Sequence, residues 1–204
     1  MSNNKSIYIA VLNQGEIKVE LSRFLHNASH DSKYNIMITY PCNSPISNNR
    51  NKIVQDFLAQ KEYDYLLMID DDIIPPDNVL DLADFQKDII SPICFFFQKN
   101  MVAPLVLKRS PEGDYNIDRV NGHEGLIETD AVGTGCLLLS RKVLEDVSAP
   151  FNDIFDTDGV RKFGLDLAFC QRAKNKGYKV YCHLDYACGH KTIFDLKKIY
   201  SSLM

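Results

Sequence analysis

Tyr65-Leu66-Leu67-Met68-Ile69-Asp70-Asp71-Asp72-Ile73-Ile74-Pro75-Pro76 is the stretch on which the fold turns. An apolar run leads straight into three carboxylates, and two prolines follow. A run apolar on both faces suits a central strand of a parallel sheet. Pro75 and Pro76 cannot continue a ladder, so the strand is expected to stop there. Ligands of open α/β sheets collect outside the strand carboxyl ends. Three adjacent carboxylates in such a place repel one another unless protons or a cation neutralise them. A divalent metal does this at neutral pH, and oxygen ligands suit Mg²⁺ or Mn²⁺. The plainer alternative is a solvated acidic turn, with one Asp capping a short helix after Pro76.

Upstream, Ile7 to Leu12 reads as a strand and Asn13-Gln14-Gly15 as a turn. Ile17, Leu21, Phe24, Leu25 and Ala28 recur at helical spacing, which predicts a helix over 16–28. Tyr34 to Tyr40 is a second strand, closed by Pro41, so the chain opens as a nucleotide-binding β-α-β unit. Ile53, Val54, Phe57 and Leu58 mark a second helix with Ser47 as its expected N-cap. Arg50 and Asn51 fall in its first turn, where the dipole disfavours a cation. Arg50 is therefore either an exposed arginine or one aimed at the acidic cluster or at donor phosphates.

Downstream, Pro76 and Asp77 start a short helix carrying Val79, Leu80 and Ala83. Asp88 to Cys94 is a strand, and Phe95-Phe96-Phe97 is mixed core and pocket wall. Val102 to Lys108 and Tyr115 to Asp118 read as a hairpin across Pro111-Glu112-Gly113-Asp114. Gly133-Thr134-Gly135 leads into a buried strand ending at Ser140, followed by a helix from Arg141 to Val147. The two glycines permit either a packing contact or a close backbone approach to a sugar ring, with Thr134 donating a hydrogen bond. Ala149 to Lys162 is expected to be loop-like and mobile. Asp166 opens a helix that ends near Gly177, and N-capping alone would account for it. Tyr178 to Leu184 is the last strand, near the sheet edge, and Ile193, Leu196, Tyr200 and Leu203 space a C-terminal amphipathic helix.

In order, the first βα unit, the Arg-Asn helix, the Asp-x-Asp, the Gly-Thr-Gly and the Phe163-Gly164-Leu165-Asp166-Leu167-Ala168-Phe169-Cys170-Gln171-Arg172-Ala173 run resemble GT-A-type nucleotide-sugar glycosyltransferases, family 2-like. The resemblance implies an α/β fold: one GT-A domain over 1–204 with a mixed, mostly parallel central sheet flanked by helices. Its nucleotide-binding half would span about 1–95 and its acceptor and catalytic half about 96–204. It also implies roles. Leu12, Asn13, Gln14, Gly15, Arg50, Asp70, Asp71, Gly133, Thr134 and Gly135 would contact the donor. Asp70, Asp72 and His190 would hold Mn²⁺ or Mg²⁺. Asp166 would be the general base of an inverting transfer. The chain departs from the pattern at Leu165, where many relatives carry Glu, and at Pro41-Cys42-Asn43, where relatives often place an Asp that reads uracil. The donor is expected to be a UDP-sugar, with guanosine the other possible base. The acceptor is a hydroxyl of a glycan, a protein, a lipid-linked sugar or a modified nucleobase.

The 204 residues suffice for one domain with a real core, and a net charge of −4 gives no electrostatic reason to expect nucleic-acid binding. No run approaches the ~18 apolar residues of a membrane span, and no signal-peptide core follows Met1, so a cytoplasmic setting is expected. The six cysteines read as reduced thiols, since the chain is not a small loop-rich scaffold. Cys182, Cys188 and His190 have no usual structural-zinc spacing. There is no Gln-x-x-Arg-Trp motif and no Trp at all, which argues for a single-sugar transfer over a processive synthase. Two rivals stand beside a transferase: a nucleotidyltransferase, and a sugar-nucleotide or carbohydrate-binding module without activity.

Overall fold

The computed structural model describes residues 4–42, 44–98, 101–120 and 122–192. Seven strands form the central sheet: β1 (Ser6–Leu12), β2 (Asn35–Thr39), β3 (Tyr65–Asp70), β4 (Ile89–Ile93), β5 (Leu126–Thr129), β6 (Cys136–Ser140) and β7 (Val180–Ala187). Their order is β5-β7-β4-β6-β3-β1-β2. β1 pairs in parallel with β2 and β3, and β7 with β4. β6 runs antiparallel to both β3 and β4, and β5 antiparallel to β7. The sheet is therefore mixed, with most strands pointing one way.

This order places the site. The carboxyl ends of β1 and β3 lie side by side, with Leu12 opposite Asp70. β6 runs the other way, so its start arrives at the same edge, with Cys136 opposite Ile69. Gly133 to Gly135 thus reach the acidic cluster by topology, across more than sixty residues of chain.

Helices cover both faces. On one side Leu66 and Met68 pack with Ile53, Val54 and Phe57 of α2 (Ile46–Ala59), Val143 and Leu144 of α3 (Arg141–Asp146), and Phe169 and Ala173 of α4 (Leu165–Asn175). On the other, Leu67 and Ile69 pack with Leu21, Phe24 and Leu25 of α1 (Val19–Ser29) and with Leu80 and Leu82 of the 3₁₀ helix Val79–Phe85. Burial on both faces is why β3 reads as an unbroken apolar run. Each such side chain contributes roughly 1.5–3 kcal/mol relative to exposure.

Several boundaries differ from the sequence reading. α1 starts at Val19, because the turn before it uses a positive φ of 106° at Gly15. α2 starts behind Pro45, so Ser47 lies inside the helix and caps nothing. Ile73–Ile74 form a short strand with Gly189–His190 before the prolines intervene. The expected 102–108 strand breaks at Leu105: Met101–Pro104 pair with Phe95–Gln98, whereas Val106–Arg109 pair with Tyr115–Ile117. The strand read over 178–184 is β7, which lies near the sheet edge as expected, one place in from β5.

The 149–162 segment is built rather than loose. Ile154–Phe155 pair with Arg161–Phe163, and Asp156 Oδ1 accepts from the Asp158 and Val160 amides to close the turn. Phe151 is buried and stacks on Phe169 at 5.0 Å. Asn51 accepts from the Phe151 amide (3.0 Å) and donates to Asn152 Oδ1 (2.7 Å), while Arg172 donates to the Pro150, Asn152 and Asp153 carbonyls. All six cysteines are free, Cys42 exposed and the others buried. No described helix is long and apolar enough to cross a membrane. The amphipathic helix expected over Ile193, Leu196, Tyr200 and Leu203 lies outside the described residues, as does Asn43.

Candidate active site

Arg50 lies under the end of β3 with 1% of its surface exposed. Its Nη2 donates to both oxygens of Asp70, at 2.7 and 2.9 Å, and its Nη1 to the Thr134 carbonyl at 3.1 Å. The Phe151 ring lies 5.9 Å from the guanidinium. The position is disfavoured by the dipole of α2, and Asp70 offsets that cost. Among the described residues Nε has no partner, which leaves one buried donor for water or a bound group. Burial pushes the Asp70 carboxyl up to about 6 against the pull of Arg50, and repulsion from Asp166 and Asp72 adds to the rise.

The three expected metal ligands separate. Asp70 is engaged by Arg50, whereas Asp72 Oδ2 sits 3.2 Å from His190 Nε2. His190 Nδ1 lies 2.6 Å from the Phe95 carbonyl. A carbonyl only accepts, so Nδ1 carries the proton. In the neutral ring Nε2 then presents a lone pair to a carboxylate, two acceptors face to face. A second proton or a cation between them resolves this. Among the described residues no three His, Cys, Asp or Glu side chains converge as a ready-made metal cage. The pair nonetheless fits a hard divalent ion that takes one or two protein ligands and completes its shell with substrate phosphates and water.

Asp71 engages the β1 loop. Its Oδ2 accepts from the Gln14 amide (3.3 Å), and its own amide donates to the Leu12 carbonyl (3.0 Å). Asn13 Nδ2 donates to the Val11 and Pro41 carbonyls, and its Oδ1 accepts from Gly15 N at 3.0 Å. The β1 loop is thus tied to β2 and to the acidic turn. Leu12, Asn13, Gln14 and Asp71, with Ser44 and Asn49 among others, line a cavity of about 520 Å³.

In the Gly-Thr-Gly segment the glycines take the packing alternative, and the threonine bonds within the protein. Thr134 is 1% exposed, and its Oγ1 donates to Asp166 Oδ1 at 2.5 Å. Its hydroxyl is therefore engaged within the protein. A Cβ on Gly133 would collide with Leu105, and one on Gly135 would meet Ile73 at 3.1 Å, so both glycines serve close packing beside Asp70. Asp166 is not a cap: the N-cap of α4 is Gly164, with no side-chain cap bond.

A second cavity, about 370 Å³, lies beside Asp166 and is lined by Ile46, Arg50, Asp70, Thr134, Arg161, Leu165 and Leu167 among others. It shares Ile46 and Asp70 with the first. Ile46, Arg161, Leu167 and the Phe95 carbonyl escaped sequence reading. Leu167 lies in the run around Asp166 without an assigned role, Ile46 opens α2, and Arg161 and Phe95 come here through their strand pairings. A third cavity of about 440 Å³ lies at the opposite ends of β4 and β7, around Lys87, Lys142 and Lys179. Lys142 lies 3.7 Å from Asp88 and Lys179 2.8 Å from Glu128, so its cations are largely answered.

No family model and no curated protein sequence matches the chain. Solved structures do. A197 from STIV superposes with a TM-score of 0.63 at 19% identity, covering 93% of this chain and 86% of that one. GalNAc-T7, solved with UDP, GalNAc and Mn²⁺, gives 0.65 at 12% identity, over 93% of this chain and 44% of its own. S. aureus TarS 1-349, solved with UDP-GlcNAc, gives 0.51 at 15% identity, over 94% and 60%. The chain thus spans less than two thirds of the last two proteins. Strand order, acidic turn and these likenesses agree: the chain has the GT-A fold of nucleotide-sugar glycosyltransferases.

Proposed function

We propose that this chain is a metal-dependent glycosyltransferase that moves a single sugar from a UDP-sugar to an acceptor hydroxyl. The observation that carries the reading is His190 Nε2, held 3.2 Å from Asp72 by the bond on its other nitrogen. It lies on the same sheet edge as the cavity lined by Leu12 to Gln14 and Asp70 to Asp72. Two proteins of this fold are solved with UDP or a UDP-sugar, one of them with Mn²⁺, which supports the choice of base and ion.

Asp72 and His190 would hold the ion, with Asp70 beside them, oriented by Arg50. A bound Mn²⁺ or Mg²⁺ would supply Lewis-acid stabilisation of the charge developing on the leaving diphosphate. The loop from Leu12 to Gly15, with Asp71, receives the nucleoside. Gly133 and Gly135 keep the backbone low where the donor sugar meets the acceptor. Asp166 takes the acceptor proton. The acceptor oxygen bonds to the anomeric carbon, the bond from that carbon to the phosphate oxygen breaks, and its electron pair leaves with the nucleoside diphosphate. Attack from the face opposite the leaving group inverts the centre. General-base catalysis contributes about 10²–10⁴ in rate.

The test is UDP release from UDP-glucose, UDP-galactose, UDP-GlcNAc and UDP-GalNAc, with Mn²⁺ and with chelator. The reading expects metal-dependent release from one of them. Asp166→Asn should keep UDP binding and lose release by about 10²-fold or more. Tight UDP binding with no release from any donor would instead favour a binding module.

A further inference from the structure

We infer that Thr134 is the positioning residue of the Asp166 base: its buried hydroxyl occupies Oδ1, so Oδ2 is the oxygen left to receive the acceptor proton. The inference rests on the transferase reading and changes the role of Thr134 within it, from sugar contact to orienter of the base. Thr134 Oγ1 lies 2.5 Å from Asp166 Oδ1 and the residue is 1% exposed, so the hydroxyl is committed to the carboxylate even though the residue borders the cavity. Its backbone is clamped on both sides. Arg50 Nη1 holds its carbonyl at 3.1 Å, and Asp70 N donates to the Gly135 carbonyl at 2.8 Å. Gly133 rests against Leu105. A β-branched side chain on such a backbone has little rotamer freedom, so the hydroxyl is a fixed point.

Asp166 needs one. It stands in the first turn of α4, whose cap is Gly164, so no helix amide anchors its carboxylate. Among the described residues Thr134 is its one hydrogen-bond donor, so Oδ2 has no partner there, and the residue lines a cavity with Arg161 and Leu165. Arg50 touches both Asp70 and Thr134, so one buried guanidinium sets the donor side and, through Thr134, the acceptor side of the same cleft.

The experiment is steady-state UDP release from the four UDP-sugars with Mn²⁺, water acting as acceptor, for wild type, Thr134→Val, Thr134→Ser and Asp166→Asn. Thr134→Val keeps the shape and removes the donor. It should lower kcat by about 10²-fold, the scale of a misplaced catalytic group, with the donor KM unchanged. Thr134→Ser restores the hydroxyl and should stay within about 5-fold of wild type on the same scale. A raised donor KM with kcat intact in Thr134→Val would mean that the hydroxyl serves the donor, and overturns the inference. So would equal loss in the Ser and Val variants. If wild type releases no UDP, or Asp166→Asn runs at the wild-type rate, the transferase reading itself fails and the inference falls with it. The contact has a readout free of turnover and of any Thr134 variant. The Thr134 hydroxyl proton should exchange slowly with water by NMR and lose that protection in Asp166→Ala; fast exchange in wild type overturns the inference.

Discussion

Arg50 and Asp70 are unequal partners, and the inequality is measurable. Asp70 keeps 26% of its side chain in water and its carboxyl already sits near 6, so it can take a proton if abandoned. Arg50 cannot lose its proton, and its side chain is 2% exposed. Removing one partner of a buried pair costs about 3–5 kcal/mol. Asp70→Ala should therefore reach that range in urea unfolding, while Arg50→Met, which fills most of the space and leaves a carboxyl able to neutralise, should cost less. The reverse order would show that the guanidinium finds another partner. Arg50 stood out in the sequence because a cation early in a helix is misplaced without a reason. The destination of the Thr134 hydroxyl did not, since it bonds across 32 residues to an element whose approach only the folded chain defines.

The elements differ in how legible they were. β3, β1 and the helices on either side follow from apolar periodicity, and the acidic turn from its prolines. Apart from β6 and β7, the strands of the second half have two to four residues and most serve small sheets, so periodicity had too few residues to act on. The 149–162 segment read as mobile because its anchors, Asn51 and Arg172, lie on other elements. At this scale the 3₁₀ helix makes a pH-dependent attachment. Lys33 donates to Asp84 and Asp81, and Lys5 to Asp84, each at 2.7 Å. The bonds from Lys33 and then Lys5 hold the Asp84 carboxyl below its ordinary 3.8, while those to Asp81 and then Asp84 raise Lys33. A depressed carboxylate contributes stability above its unfolded pKa and loses it as pH falls through the folded value. The contribution should thus be intact near neutrality and fade below about pH 4. Asp84→Asn should flatten that part of the acid limb in urea melts taken from pH 2 to 7. Parallel limbs in both proteins would show the attachment to be thermodynamically silent, as exposed pairs often are.

For the whole molecule, the central claim is that one sheet edge holds a nucleoside diphosphate through a divalent ion on Asp72 and His190. The antiparallel β6 makes this edge, because it returns Gly133 to Gly135 beside the ends of β1 and β3. Thermal unfolding with UDP, GDP, CDP, ADP and dTDP, each with Mn²⁺ and with chelator, tests the claim most directly, with Asp72→Ala alongside. A ligand at 100 times its dissociation constant stabilises by about 2.7 kcal/mol, which a melt resolves easily. A shift with UDP that needs Mn²⁺ and vanishes in Asp72→Ala is expected. A UDP shift unchanged by chelator and by Asp72→Ala, or no shift with any of the five nucleotides in the folded protein, would contradict it.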